Sequence, residues 1–99
     1  MKAIYKYKLP APGETAVVEI PEWAEFIHVN TDGSGDNHPY LWAIVDTASR
    51  KTPRTFTTIG TGWEIPPRLY PDAILPYVYI GTIHSTLGPG SFVWHVFQL

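Results

Sequence analysis

The chain has 99 residues, a formal net charge of −2 at neutral pH, ten prolines, eight glycines and no cysteine. A chain of this length supports a single domain, and its hydrophobic fraction of 44% is typical of a folded globular protein. The near-zero charge argues against a duplex-DNA binder, whose affinity comes mostly from neutralising phosphates. The lack of cysteine excludes disulfides and thiolate zinc sites, and no apolar run is long enough to predict a membrane span.

Alternation of apolar and polar residues, interrupted by proline and glycine, predicts β-strands along almost the whole chain. The first predicted strand, 2–9, places tyrosines on one face and Lys2, Lys6 and Lys8 on the other. Lysines in this pattern protect an edge strand from pairing with another sheet. We therefore expect the first strand to lie at an edge.

The remaining predicted strands are bounded by prolines, glycines or polar turns. In the run 24–31, strict alternation places Phe26 and His28 on the same face. The run 40–46 is apolar on both faces, which is typical of a central strand covered on each side. The segment 63–76 contains four prolines, so we expect irregular extended chain there, with one short turn of helix near 70–73.

Seven short strands with frequent turn signals, and no helical periodicity, predict an all-β protein. We expect one domain spanning residues 1–99, built as a sandwich or small barrel of about seven antiparallel strands. The predicted strands are 2–9, 15–20, 24–31, 40–46, 54–59, 77–84 and 92–99.

The charged residues are unevenly distributed, since no Asp, Glu, Lys or Arg occurs between positions 73 and 99. A strand with a solvated face normally carries charges, so both faces of the last two strands are expected to be covered. Either this pair is central in the fold or it forms a subunit interface. We favour the interface and expect a homo-oligomer through the strands of 73–99.

The sequence shows no catalytic or metal-binding pattern. Its four histidines lack metal-ligand spacing, and no serine lies in a Gly-x-Ser-x-Gly motif. His95 lies in an apolar strand and is interpreted as a hydrogen-bonded core histidine. The motif Gly60–Gly62 is not a phosphate loop, because no lysine or helix follows it. It indicates a bulge or a tight turn with positive φ, and close approach of a ligand to the bare backbone is the alternative interpretation. We expect neither an enzyme nor a metal or cofactor site.

The middle of the chain combines cations with aromatic rings. Guanidinium groups bind phosphates bidentately, and indole rings stack on nucleobases, so the cluster indicates a site for a small nucleotide. Solvated arginines and core tryptophans are the alternative interpretation. The candidate ligand-binding residues are Arg50, Lys51, Arg54, Arg68, Trp42, Trp63, Thr61 and Gly62.

Four motifs follow one another along the chain: Leu41-Trp42-Ala43, Gly60-Thr61-Gly62, Tyr79-Ile80-Gly81-Thr82 and Trp94-His95-Val96-Phe97. This order resembles a family of short proteins without assigned function, found mainly in phage and prophage genomes. The similarity covers nearly the whole chain and supplies no catalytic residues. It implies a viral protein that acts in the host bacterial cytoplasm.

The cationic cluster and the resemblance together indicate a non-enzymatic phage protein that sequesters a nucleotide-type bacterial immune signal. Such an anti-defence sponge for a cyclic nucleotide needs tight binding, which a pocket closed between subunits favours. We expect neither duplex DNA nor a membrane as a partner. The alternatives are a virion accessory or structural protein and a protein-binding inhibitor of a host factor.

Overall fold

The computed structural model describes residues 1–85 and 92–99 and consists of two antiparallel β-sheets. The prediction of an all-β sandwich of seven strands is confirmed. No helix in the described residues is long and apolar enough to cross a membrane. The strands are β1 (Lys2–Lys8), β2 (Thr15–Pro21), β3 (Glu25–Asn30), β4 (Tyr40–Asp46), β5 (Lys51–Gly60), β6 (Val78–Ser85) and β7 (Phe92–Gln98).

Sheet A has the strand order β1–β4–β3, and sheet B has the order β2–β5–β7–β6. β1 is an edge strand, as its three lysines predict, and it pairs in full with β4. β7 is an interior strand, whereas β6 lies at the edge of sheet B. The interpretation of the last two strands as a central pair is therefore correct only for β7.

The hydrophobic core lies between the inner faces of the two sheets. In β4, Leu41, Ala43 and Val45 are buried, whereas the alternate residues are only half-buried. The prediction that both faces of β4 are buried is wrong, because the side chains on its outer face remain half-exposed. On that face the ring of His28 lies against Trp42, with 5.5 Å between the ring centroids. The buried core residues are Leu9, Ile20, Leu41, Phe56, Ile83, Trp94 and Val96.

A bulge in β3 changes which of its side chains face the core. The register with β4 shifts between Phe26 and His28, so Ile27 is an extra residue and the alternation is offset by one position. Phe26 and Val29 consequently pack against the core, while His28 lies on the outer face against Trp42. The prediction that Phe26 and His28 share a face is wrong for this reason.

The two sheets approach each other closely where β3 meets β6. Gly81 lies directly against the side chain of Val29, and a Cβ at position 81 would collide with Val29 Cγ2. At the far end of β6, the hydroxyl of Ser85 donates a hydrogen bond to the side-chain carbonyl of Asn37, in the loop after β3. Because Gly81 lies two residues from the core residue Ile83, β3 covers the inner face of β6 and not its hydrogen-bonding edge.

Two carboxylates tie the 31–39 loop to the outer face of sheet A. Asp32 accepts hydrogen bonds from Lys6 Nζ at 2.9 Å and from the backbone N–H of Ser34 at 3.0 Å. Hydrogen bonding by the Ser34 side chain, and then by Lys6 and the Ser34 N–H, holds the pKa of the Asp32 carboxyl well below the usual range. Asp36 accepts a hydrogen bond from the Tyr40 hydroxyl at 2.7 Å. That bond lowers the pKa of Asp36 and raises the pKa of Tyr40 to about 12.

The segment between β5 and β6 turns back over the outer face of sheet B. It is irregular, as predicted, but its 3₁₀ turn lies at Pro67–Leu69 and not near 70–73, because Pro67 supplies the φ angle of a first helical position. The Arg68 guanidinium donates to the carbonyls of Leu75 at 2.8 Å and Pro76 at 2.7 Å. Arg68 therefore stabilises the conformation of its own loop, residues 67–76.

Candidate functional site

The structure separates the predicted binding residues along the length of β5. Arg50, Lys51 and Arg54 lie at its beginning, and Thr61 and Gly62 follow its end. At about 3.3 Å per strand residue, Thr61 lies roughly 20 Å beyond Arg54 and roughly 30 Å beyond Lys51. One compact pocket within a single chain cannot contain both groups.

Trp42 and Trp63 have structural partners away from the beginning of β5. Trp42 lies on the outer face of sheet A beside His28 and Tyr40. Arg68 holds the loop before β6 and lines a cleft with Gln98, the side chain that accepts a hydrogen bond from Arg54. The Trp63 ring packs over Gly60, where a Cβ would collide with the indole. Gly62 has a φ of 83°, so the predicted tight turn with positive φ is confirmed.

His95 belongs to a row of hydrogen-bonded side chains on the outer face of sheet B. Its Nε2 lies 2.7 Å from Thr61 Oγ1, and its Nδ1 lies 3.1 Å from Thr82 Oγ1. The Thr82 hydroxyl is also bonded to the hydroxyl of Tyr79. The imidazole is hydrogen-bonded as predicted, but it is half-buried on an outer face rather than in the core. The row attaches the Gly60–Gly62 turn to β6.

Trp23 is the most unusual residue near the beginning of β5. It lies in the short connection that carries the chain from β2 in sheet B to β3 in sheet A. Its φ is 64°, a left-handed conformation, and its side chain is 89% exposed. A bulky residue in this region costs about 1–2 kcal/mol, and an exposed ring recovers little of that through packing. Strain of this kind concentrates at functional sites.

Arg54 shares a cleft of about 200 Å³ with Trp23 and Glu22. The Arg54 guanidinium lies 5.1 Å from the centroid of the Phe26 ring, which positions it at the rim of the core. Its Nη1 donates to Gln98 Oε1 at a long 3.5 Å. Because a guanidinium has five N–H donors, most of this group remains available to a ligand.

Arg50 is held against the same turn by Glu22. Arg50 Nε donates to Glu22 Oε1 at 3.1 Å, its Nη2 donates to the same oxygen, and the Glu22 N–H donates to the Arg50 carbonyl at 2.8 Å. Lys51 is exposed, and it lies on the opposite face of β5 from Arg54, since the two are an odd number of residues apart. The Trp23 turn, defined as residues 21–24 with Arg50 and Arg54, is the candidate site.

Trp23 also lines a second cleft, of about 260 Å³, next to sheet A. Asp46 and Lys2 line it, and Asp46 accepts a hydrogen bond from the Ala48 N–H at 3.0 Å, which lowers the pKa of its carboxyl. Trp23 therefore borders two clefts, one with Arg54 and one with Lys2 and Asp46.

A family model described as a domain of unknown function, DUF7352, matches residues 1–99. The chain belongs to the DUF7352 family. No curated protein and no solved structure matches it. Within residues 1–85 and 92–99 of this DUF7352 chain, no group of three His, Asp or Glu side chains could hold a metal ion.

Sequence reasoning missed Trp23 in this DUF7352 protein, although it identified Arg54. Trp42 and Trp63 were expected to supply the aromatic surface, because they are closest to the cations along the chain. The available signal was a tryptophan directly after Pro21-Glu22, in a connection too short to bury a large ring. Trp23 lies near Arg54 because the chain passes from β2 in sheet B to β3 in sheet A at this point. The periodicity of the sequence carries no information about that passage.

Proposed function

We propose that this DUF7352 protein captures a nucleotide-type ligand at the Trp23 turn. The observation that carries the proposal is the exposed Trp23 indole, held by a left-handed backbone in one cleft with Arg54. An indole stacks on any nucleobase, at about 1–3 kcal/mol per base. A guanidinium is the side chain best suited to bind a phosphate in two places at once.

The Arg54 half of the site is positioned before a ligand arrives. Phe26 holds the Arg54 guanidinium, whereas the backbone of Trp23 fixes only the direction of its Cα–Cβ bond and leaves the exposed ring free to rotate. A group that is already held in place loses little conformational entropy on binding, which favours affinity. Arg50 provides a second guanidinium, which can bind a phosphate once the phosphate displaces the Glu22 carboxylate from it.

These residues support capture rather than chemistry. An indole has no acid or base function at neutral pH, and a guanidinium remains protonated. A ligand held by Trp23 and Arg54 is bound and released unchanged. In a phage protein, as the sequence resemblance implies, the captured molecule is a nucleotide immune signal of the host, whose free concentration falls in proportion to the amount and affinity of the protein.

Titration calorimetry against cyclic oligonucleotides and cyclic ADP-ribose isomers tests the proposal, after heat extraction of any co-purified ligand. We expect submicromolar binding to one class of compound, with the ligand recovered intact after denaturation. Trp23→Ala should weaken binding about tenfold or more. Trp63→Ala is the matched control, since it removes an indole from the opposite end of β5, and it should retain the native affinity. The proposal is contradicted if no compound of the panel binds, or if Trp23→Ala binds as tightly as the native chain.

A structural role in a larger assembly is a second candidate, favoured by a different surface. Ile74 is 98% exposed and Leu75 is 60% exposed, in a part of the chain without charges. Apolar surface of this kind marks an interface with protein. Detection of the protein in purified phage particles would support this role, and its absence from them would contradict it.

A further inference from the structure

The edges of the two sheets differ in their protection against pairing. Among residues 1–85 and 92–99, the edge strands are β1 and β3 in sheet A and β2 and β6 in sheet B. β1 carries three lysines, β2 carries Glu19 and Pro21, and β3 carries Glu25. β6 contains no Asp, Glu, Lys or Arg. Charges and proline are the usual means of keeping an edge from pairing with another chain, so β6 is the unprotected edge.

β6 is hydrogen-bonded to β7 on one side and, in the part of the chain that the structure describes, pairs with no strand on the other. β3 covers the inner face of β6 at Gly81, which packs against Val29. Val78 and Tyr79 precede the register shift between Tyr79 and Gly81 and are called the free half of the edge.

Exposed apolar side chains surround the free half of the edge. Ile74 and Leu75 precede it, and the rings of Tyr77 and Tyr79 are held by Phe97 at centroid distances of 5.6 and 5.7 Å. The β6 patch is defined as Ile74 (98% exposed), Leu75 (60%), Tyr77 (38%), Val78 (55%) and Tyr79 (54%). These side chains contribute little to the core of a single chain.

We propose that the β6 patch binds a second copy of this chain, with the two free edges side by side about a two-fold axis. Residues near such an axis face their own equivalents, so a charged edge repels itself. The lysines of β1 exclude that strand from such pairing, whereas the uncharged β6 patch meets no repulsion. The nearest charges along the chain, Arg68 and Asp72, are of opposite sign and suit the rim of a self-paired interface.

The size of the patch fits a reversible dimer. Its exposed side chains offer on the order of 500 Å² per copy, against about 800 Å² per partner in a standard protein–protein interface. The dimer lies at the opposite edge of sheet B from β2, which leads into the Trp23 turn. Trp23 and the β6 patch therefore lie at different edges, whereas Arg54 bonds Gln98, the register partner of Val78. Ile74→Glu, outside this contact, and Trp23→Ala separate a failure of dimer formation from a failure of ligand capture.

Sedimentation velocity of the full chain over a range of concentrations tests this proposal. We expect a monomer–dimer equilibrium at micromolar concentration. Val78→Lys should weaken the dimer at least tenfold, because it places two ammonium groups together at the axis. Val17→Lys is the matched control: Val17 is 60% exposed on β2, the opposite edge of the same sheet, and this variant should dimerise like the native chain.

Ile74→Glu provides an independent variant that cannot act through misfolding, because Ile74 is 98% exposed. It should also weaken the dimer at least tenfold, with an unchanged melting temperature of the monomer. A native chain that remains monomeric at high micromolar concentration overturns the proposal. So does a dimer that survives both Val78→Lys and Ile74→Glu, or one that Val17→Lys disrupts to the same extent.

Discussion

Trp23 combines a strained backbone with an indole that is almost entirely in solvent. Glycine adopts the same φ without steric cost, whereas a residue with a Cβ does not. We predict that Trp23→Gly stabilises the protein by about 1 kcal/mol, which raises the melting temperature by about 4–8 °C in a domain of this size. The same change should weaken ligand capture about tenfold or more, as Trp23→Ala does, because both remove the indole.

Thermal unfolding by circular dichroism, followed by titration of the same sample, measures both effects. Trp23→Ala is the control, because it removes the ring and keeps the Cβ responsible for the strain. Its melting temperature should remain close to the native value. A decrease in melting temperature for Trp23→Gly would show that the indole contributes to the fold, and the strain argument would fail.

At the scale of elements, the loop 31–39 depends on ionised carboxylates. Hydrogen bonds from Ser34 and Lys6 depress the pKa of Asp32 in the folded state. Its contribution to stability is therefore present above the ordinary carboxyl pKa of about 4 and is lost as the pH falls through the folded-state pKa. Asp36 acts in the same direction through Tyr40. We predict that stability falls on acidification below about pH 4.

Asp32→Asn isolates this effect. The variant should melt below the native protein at pH 7, and the difference should shrink as the pH falls, because the native carboxyl also becomes neutral. Melting curves between pH 7 and pH 2 test this, with Asp72→Asn as the control on the exposed 67–76 loop. A difference between Asp32→Asn and the native chain that is independent of pH would contradict the assignment.

The sequence predicted the type and order of the strands better than their environments. β4 has the predicted bounds, because its run of apolar residues ends abruptly at polar turns on both sides. β5 begins three residues before its prediction, since Lys51 and Thr52 pair with Pro21 and Ile20 of β2. Such pairing depends on a distant strand, and local periodicity contains no information about it. The bulge in β3 was missed for the same reason.

The candidate site was predictable only in part. Arginines near the beginning of β5 followed from local sequence, and Arg54 lies at the candidate site. The tryptophan beside it depends on how β2 crosses to β3, which is a property of the assembled sheets. The predicted partners Trp42 and Trp63 are close to Arg54 in sequence. Trp42 lies on the other sheet, and Trp63 lies beyond the opposite end of β5.

At the scale of the whole molecule, the contact of Gly81 with Val29 determines how closely β6 approaches β3. Gly81→Ala forces a methyl group into Val29, and we predict a loss of about 1–3 kcal/mol in the free energy of unfolding. Val29→Ala removes the colliding methyl groups, so the double variant should recover part of that loss. Urea denaturation of the four proteins gives the coupling energy. Strictly additive losses would show that the contact has no role in closing the sandwich.

The order in which strands pair has a consequence during synthesis. β1 pairs with β4, and β2 pairs with β5, so both N-terminal strands leave the ribosome well before their partners exist. Sheets joined by such distant pairings form slowly, in milliseconds to seconds for small domains. Throughout that interval β1 is an unpaired strand, able to associate with other nascent chains. Lys2, Lys6 and Lys8 make such association unfavourable, and the same lysines that protect the finished edge therefore keep the unfinished chain soluble.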